Sequence, residues 1–142
     1  MVDEILIIAS PEHIPERKHP EDAGADLKAA RDAIICPGKT EMVGTGVRAL
    51  IPYHYAGFVF ARSGLASRHG IRPANCVGVV DHQYRGEIMV PVYNDGAVPY
   101  EIKKGDRIAQ LVVLYVELPN FMPVDRLPES DRGAGGFGST GI

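Results

Sequence analysis

Turn residues limit the length of every regular element this chain can build. Its apolar runs are short and mostly bounded by glycine, proline or an Asn-Asp-Gly type turn. No segment keeps a 3.6-residue apolar period over 12 or more positions. Composition gives the same answer: 16 glycines and 11 prolines in 142 residues amount to about 19%, where ordinary usage gives roughly 12%. Both residues weaken helix interiors, so a helical bundle is excluded and a strand-rich domain is expected. A hydrophobic fraction of 45% and a charged fraction of 23% argue against disorder.

The runs themselves predict strands. Glu4 to Ile8 opens the chain, Tyr55 to Phe60 alternates aromatic with small residues, and Glu87 to Tyr93 sets Ile88, Val90 and Val92 on one face at period two. Asn94-Asp95-Gly96 predicts a hairpin-type turn after that run. Tyr100 to Lys104 and Arg107 to Leu118 read as two strands around a turn at Gly105-Asp106. One helical turn is expected from Ser63 to His69, with Ser63 as its cap and Gly70 as its stop. Composition shifts once, where Gly133 to Ile142 holds five glycines in ten residues. By composition alone that is a frayed end. The expected division is a β domain over 1–130 and a C-terminal segment over 131–142.

A net charge of -3 removes the basic footprint that duplex nucleic acid requires. Cys36 and Cys76 have neither metal-ligand spacing nor a disulfide framework, which suits a reducing compartment. Met1-Val2-Asp3-Glu4 lacks a positive leader, and Leu111 to Val116 is far short of the roughly 20 apolar residues that span a bilayer. A cytoplasmic protein with no nucleic-acid or membrane partner is expected. His19-Pro20-Glu21 has the H-x-E start of a zinc deaminase, but no P-C-x-x-C follows.

Five stretches offer chemistry. Ala23-Gly24-Ala25-Asp26-Leu27 places an acid after a turn, by itself an ordinary loop aspartate. Ala61-Arg62-Ser63-Gly64-Leu65-Ala66 offers a guanidinium, a hydroxyl and a glycine N–H suited to phosphate oxygens. It reads equally as an arginine paired to an acid beside a capping serine. Asn75 to Glu87 runs an apolar arm into Asp81, with Tyr84 three positions on. A carboxylate beside an apolar concavity can deprotonate water, but a turn aspartate bonded to its own backbone has the same sequence. Gly105-Asp106-Arg107-Ile108-Ala109-Gln110 is structural when taken alone. Asp131 to Gly141 sets one aromatic, Phe137, among glycines, where it can stack on a planar ligand.

In this order, from Ala23 to Gly141, the five stretches resemble the five motifs of the trimeric dUTPase family. The resemblance implies an all-β, distorted jelly-roll-like fold (a β-clip) with one short helical segment and a flexible glycine-rich tail. It implies hydrolysis of dUTP to dUMP and pyrophosphate, with Mg2+ on the triphosphate, in a homotrimer whose sites lie at subunit interfaces. That activity limits uracil incorporation into DNA and supplies dUMP for dTMP synthesis. By the same resemblance Asp81 activates the attacking water, Tyr84 lies under the deoxyribose, and Asn75, Gly78, Val79, Val80 and Met89 form the uracil slot. Arg62, Ser63 and Gly64 grip phosphates, Gln110 stands near the phosphates or the water, and Asp26 acts on the metal through water. Arg132 reaches the γ-phosphate, Phe137 lids the base, and Gly138, Ser139 and Thr140 contact phosphate. Ala61 and His82-Gln83 depart from the usual pattern. The competing readings are a dCTP deaminase, with or without dUTPase activity, and a non-catalytic nucleotide-binding regulator.

Overall fold

The computed structural model describes residues 3–136. Eleven short strands account for nearly all of its regular structure: β1 Leu6–Ile8, β2 Ala25–Lys28, β3 Ala33–Ile35, β4 Thr40–Gly44, β5 Arg48–Leu50, β6 Tyr55–Phe60, β7 Ile71–Pro73, β8 Gly78–Val80, β9 Met89–Asn94, β10 Tyr100–Ile102 and β11 Arg107–Tyr115. One α-helix, α1 Ser63–His69, and a 3-10 turn at Pro11–His13 complete the set. No helix among the described residues is long and apolar enough to cross a membrane.

Every strand pairing is antiparallel, and three of the pairings are nested: β2 with β11, β3 with β10, β4 with β9. That nesting is a long hairpin rolled on itself, the jelly-roll arrangement. It also corrects two expectations. Asn94-Asp95-Gly96 makes no hairpin, because β9 pairs with β4 and β7 while β10 pairs with β3. Asn94 instead is fully buried, donating from Nδ2 to the Ile35 and Val98 carbonyls and accepting the Gly96 N–H at Oδ1, each at 2.8 Å. The Gly105-Asp106 turn likewise passes the chain between sheets, since β11 pairs with β2 and β6.

The core forms where the period-two faces meet. Leu27, Ile35, Val43, Ile51, Ile71, Val90, Val92, Ile102 and Ile108 are all essentially inaccessible to solvent, and each such side chain contributes on the order of 1.5–3 kcal/mol. Helix α1 occupies its expected residues, but Arg62, not Ser63, is the N-cap, and it makes no side-chain capping bond. Ser63 is the first helical residue. Gly70 stops the helix in the left-handed region, φ +67°, and a Cβ there would stand 2.8 Å from the Gly96 nitrogen. Glycine is therefore required twice over at this position.

Candidate active site

Two cavities hold the predicted site residues that precede Arg132, and they share none of their lining. The first, about 200 Å3, is bounded by Asn75, Gly78, Val79, Val80, Asp81, Tyr84 and Met89, with Val59, Glu87 and Ile88 completing it. Strand β8 is the edge of the sheet β2-β11-β6-β8, so one side of its backbone pairs with β6 and the other stays open. An open strand edge alternates N–H and C=O groups, as a pyrimidine's imide edge alternates acceptor and donor. Gly78 brings that backbone close, because a Cβ there would lie 3.2 Å from Val59 Cβ and 3.5 Å from Asn75 Nδ2. Met89 reaches the cavity from β9, in a different sheet.

Asp81 follows directly on β8 and is exposed. Among the described residues its carboxylate accepts no hydrogen bond, although its carbonyl accepts the Tyr84 N–H at 3.0 Å. Tyr84 is held at the hydroxyl end of its ring: the phenol donates to the Glu87 carbonyl at 2.8 Å, and Gly86 lies against the same end. Glu87 in turn accepts the Gly46 N–H at 2.8 Å. Glu87 was not singled out from the sequence, where its role has no local signal.

The second cavity, about 410 Å3, contains Asp26, Arg62, Ser63, Gly64 and Gln110 together with Lys18, Asp22, Ala23, Gly24 and Arg107. Its order comes from register. Asp26 faces Gln110 across β2 and β11, Gln110 faces Phe60 across β11 and β6, and Arg62 lies two residues beyond Phe60. Asp26 Oδ1 accepts from Arg62 Nε at 2.6 Å, and Oδ2 accepts from Arg107 Nη1 at 3.2 Å. The ladder between β11 and β2 shifts register between Arg107 and Ala109, which re-aims the Arg107 side of the strand. Gln110 Nε2 donates to the Ala61 carbonyl at 2.8 Å, and its side chain fills the space a Cβ on Gly24 would need. Sequence reasoning left Lys18 and Arg107 without a role. Arg107 sits inside one of the five stretches, but its register partner is Lys28, and only its long side chain reaches Asp26.

Both halves carry the expected residues, but at opposite ends of β6. Val80 pairs with Gly57, which sets Asp81 level with Ala56, whereas Arg62 follows six residues later. At strand rise that is about 20 Å. Arg132 reaches neither cavity: its Nε donates to the Gly135 carbonyl at 2.8 Å in an exposed turn. Phe137, Gly138, Ser139 and Thr140 lie outside the described residues. Among the described residues no group of three or more His, Cys, Asp or Glu could hold a metal ion.

Comparison with known proteins adds a lineage to this geometry. The dUTPase family model matches residues 10–141. A deoxyuridine 5'-triphosphate nucleotidohydrolase of Thermobifida fusca is 53% identical over 129 residues, covering 90% of this chain and 72% of that protein. One from Leifsonia xyli subsp. xyli is 50% identical over 142 residues, covering 99% of this chain and 93% of the relative. Among solved structures, the Staphylococcus bacteriophage 80alpha dUTPase with dUPNHPP superposes with a TM-score of 0.90 at 27% identity, covering 99% of this chain and 100% of that one.

Proposed function

The chain belongs to the dUTPase family and hydrolyses dUTP, and we propose that it does so by water attack on the α-phosphorus with Asp81 as general base. The observation that carries this reading is the first cavity, where an unpartnered carboxylate stands at the end of an open strand edge. Water transfers a proton to Asp81 as its oxygen bonds to the α-phosphorus. The α–β bridging bond breaks, and pyrophosphate leaves with dUMP remaining. Base assistance of this kind is worth about 10²–10⁴-fold. The β8 edge, with Asn75 and Met89, reads uracil: a thymine methyl clashes, and cytosine presents a donor where uracil presents an acceptor. Tyr84, pinned by Glu87, fills the space of a 2′-hydroxyl. Arg62, Ser63, Gly64 and Gln110 hold the phosphates.

Asp26 does not fit as a direct metal ligand, since both its oxygens are engaged by guanidinium groups. The donor set fits Mg2+ carried by the triphosphate, with Asp26 at most bonded to its waters. When bound there, the ion neutralises phosphate charge. Residues 131–142 act in this reading as a lid, with Arg132 on the γ-phosphate, Phe137 over the base, and Gly138 and Ser139 on phosphate. The two free, exposed thiols support a cytoplasmic setting.

A half-site separation of about 20 Å at strand rise supports a nucleotide bound between copies of the chain, the base half from one and the phosphate half from its neighbour. The stretch after β11 supports the same assembly, because Phe121 is 95% exposed and Met122 81% exposed on an arm without regular structure. A homotrimer is the proposed form.

One experiment tests both parts. Asp81→Asn and Arg62→Ala should each bind nucleotide poorly or turn it over slowly as pure proteins. Mixed by unfolding and refolding together, they should regain activity in about one quarter of the sites if each site draws on two chains. No recovery would defeat the shared-site reading, and near-normal turnover by Asp81→Asn would defeat the base assignment. Ammonia release from dCTP is expected to be absent.

A further inference from the structure

We propose that Tyr53 is a positioning residue for catalysis, the link in an aromatic stack that holds the turn bearing Asp81 in place against the sheet. This rests on Asp81 being the general base. The turn is shaped from within: Tyr84 N–H donates to the Asp81 carbonyl at 3.0 Å, and Arg85 Nη1 donates to the carbonyls of His82 at 2.6 Å and Tyr84 at 2.9 Å. Those bonds set its shape but not its place. Its two feet are anchored, Val80 by pairing with Gly57 and Glu87–Ile88 by bonds to Gly46 and Val47. Between the feet, the His82 ring meets Tyr53, with centroids 5.3 Å apart and planes at 73°.

From Tyr53 the stack runs back to the framework. Tyr53 packs on His54 at 4.1 Å, and His54 lies nearly parallel to Tyr115 at 5.7 Å and 18°. Tyr115 meets Tyr55 edge-on at 5.7 Å, and these two are register partners on β11 and β6. Glu117 beside Tyr115 raises its phenol above the ordinary tyrosine value.

The turn that presents Tyr53 is held against backbone preference. Tyr55 N–H donates to the Pro52 carbonyl at 3.0 Å, and His54 occupies the third position at φ +64°. A turn of this type favours glycine or asparagine there. His54 Nδ1 is also buried without a hydrogen-bond partner among the described residues. Such strain persists only where the surroundings over-determine it, and it concentrates next to functional sites. What the surroundings supply here is the stack and the Val116 N–H, which donates to the His54 carbonyl at 2.8 Å. The His54 ring is kept where a smaller residue would suit the backbone better, and the Tyr53 ring packed on it meets His82, the residue after Asp81.

The test is steady-state dUTP hydrolysis by full-length Tyr53→Ala, Tyr53→Phe, His82→Ala and the Tyr53→Ala/His82→Ala double variant, beside Asp81→Asn. Misplacing a reacting group by 1 Å can cost about 10²-fold. Tyr53→Ala should therefore lose roughly 10-fold or more in kcat, with KM within about threefold of wild type because the uracil slot is untouched. Tyr53→Phe should recover wild-type kcat, since a ring and not a hydroxyl meets His82. The double variant should be no slower than either single one. Tyr53→Ala within about twofold of wild type, or losses that multiply in the double variant, would overturn the proposal. If Tyr53→Ala fails to fold, His82→Ala, in the exposed turn, carries the same comparison. Turnover surviving in Asp81→Asn would defeat the base reading beneath it, whereas an inactive Asp81→Asn beside an unimpaired Tyr53→Ala would remove the clamp alone.

Discussion

Replacing Gly86 by alanine isolates the placement of Tyr84 from everything else in the first cavity. The φ at Gly86 lies outside the left-handed region, so no left-handed strain opposes alanine there. The whole effect comes from contact: the new Cβ would stand 2.4 Å from Tyr84 Oη, 2.6 Å from Cζ and 2.9 Å from Cε2. Ordinary contact begins near 3.4 Å, so the ring must retreat by about 1 Å, and the 2.8 Å hydrogen bond to the Glu87 carbonyl cannot survive that. Tyr84 is 44% exposed, which makes the stability cost modest, about 1 kcal/mol for the lost bond and roughly 3 °C in Tm. Function should suffer more, because a shift of that size under the sugar is worth up to about 10²-fold in kcat/KM. The dUTP-to-UTP ratio should fall with it, since the displaced ring no longer fills the 2′ position. Pyrophosphate release measured on both nucleotides, with Tm alongside, decides the matter. Adding Gly86→Ala to Tyr84→Ala should then change nothing further. A Gly86→Ala enzyme with wild-type kcat/KM and wild-type discrimination would refute the reasoning.

The second cavity makes parallel demands. In Gly24→Ala the new Cβ would lie 2.2 Å from Gln110 Oε1, expelling that side chain from its bond to the Ala61 carbonyl, so kcat/KM should drop about 10-fold, and Gln110→Ala should show the same loss without further effect from Gly24→Ala. Asp26→Asn leaves Arg62 and Arg107 facing each other without their shared carboxylate, and the Tm should fall. Pyrophosphate should restore the Asp26→Asn Tm more than it raises the wild type's, because the anion replaces the missing partner, and equal shifts would show that the two arginines do not meet phosphate. Deleting 131–142 should leave Tm unchanged but cut kcat/KM by about 5- to 150-fold, the equivalent of 1–3 kcal/mol of base stacking.

Much of the fold was legible because its signals are local. Ile88, Val90 and Val92 alternate inward as period two demands, and Gly70 ends α1 where only a left-handed residue can. The misread elements are those whose outcome depends on a distant strand. Asn94-Asp95-Gly96 has hairpin chemistry, but Asn94 spends its side chain on Ile35 and Val98, 59 residues before it and 4 after. Nested pairing sends β9 and β10 to different sheets, and nothing in the turn itself encodes that.

The site divides along the same line. Asp81, Tyr84, Asn75 and Gly78 sit in one continuous stretch, and that stretch makes one cavity. Asp26, Arg62 and Gln110 come from three separate stretches, and only the register of β2, β11 and β6 sets them side by side. Arg107 joins them through an irregularity in that register, so its part in the cluster was invisible from spacing. The two cavities then fall at opposite ends of β6, about 20 Å apart at strand rise. The candidate residues that precede Arg132 are thus divided between two separate cavities of one chain. In the shared-site reading proposed above, assembly rather than the fold of one chain brings Asp81 to the phosphate, and a mixture of two inactive variants is the sharpest test of that reading.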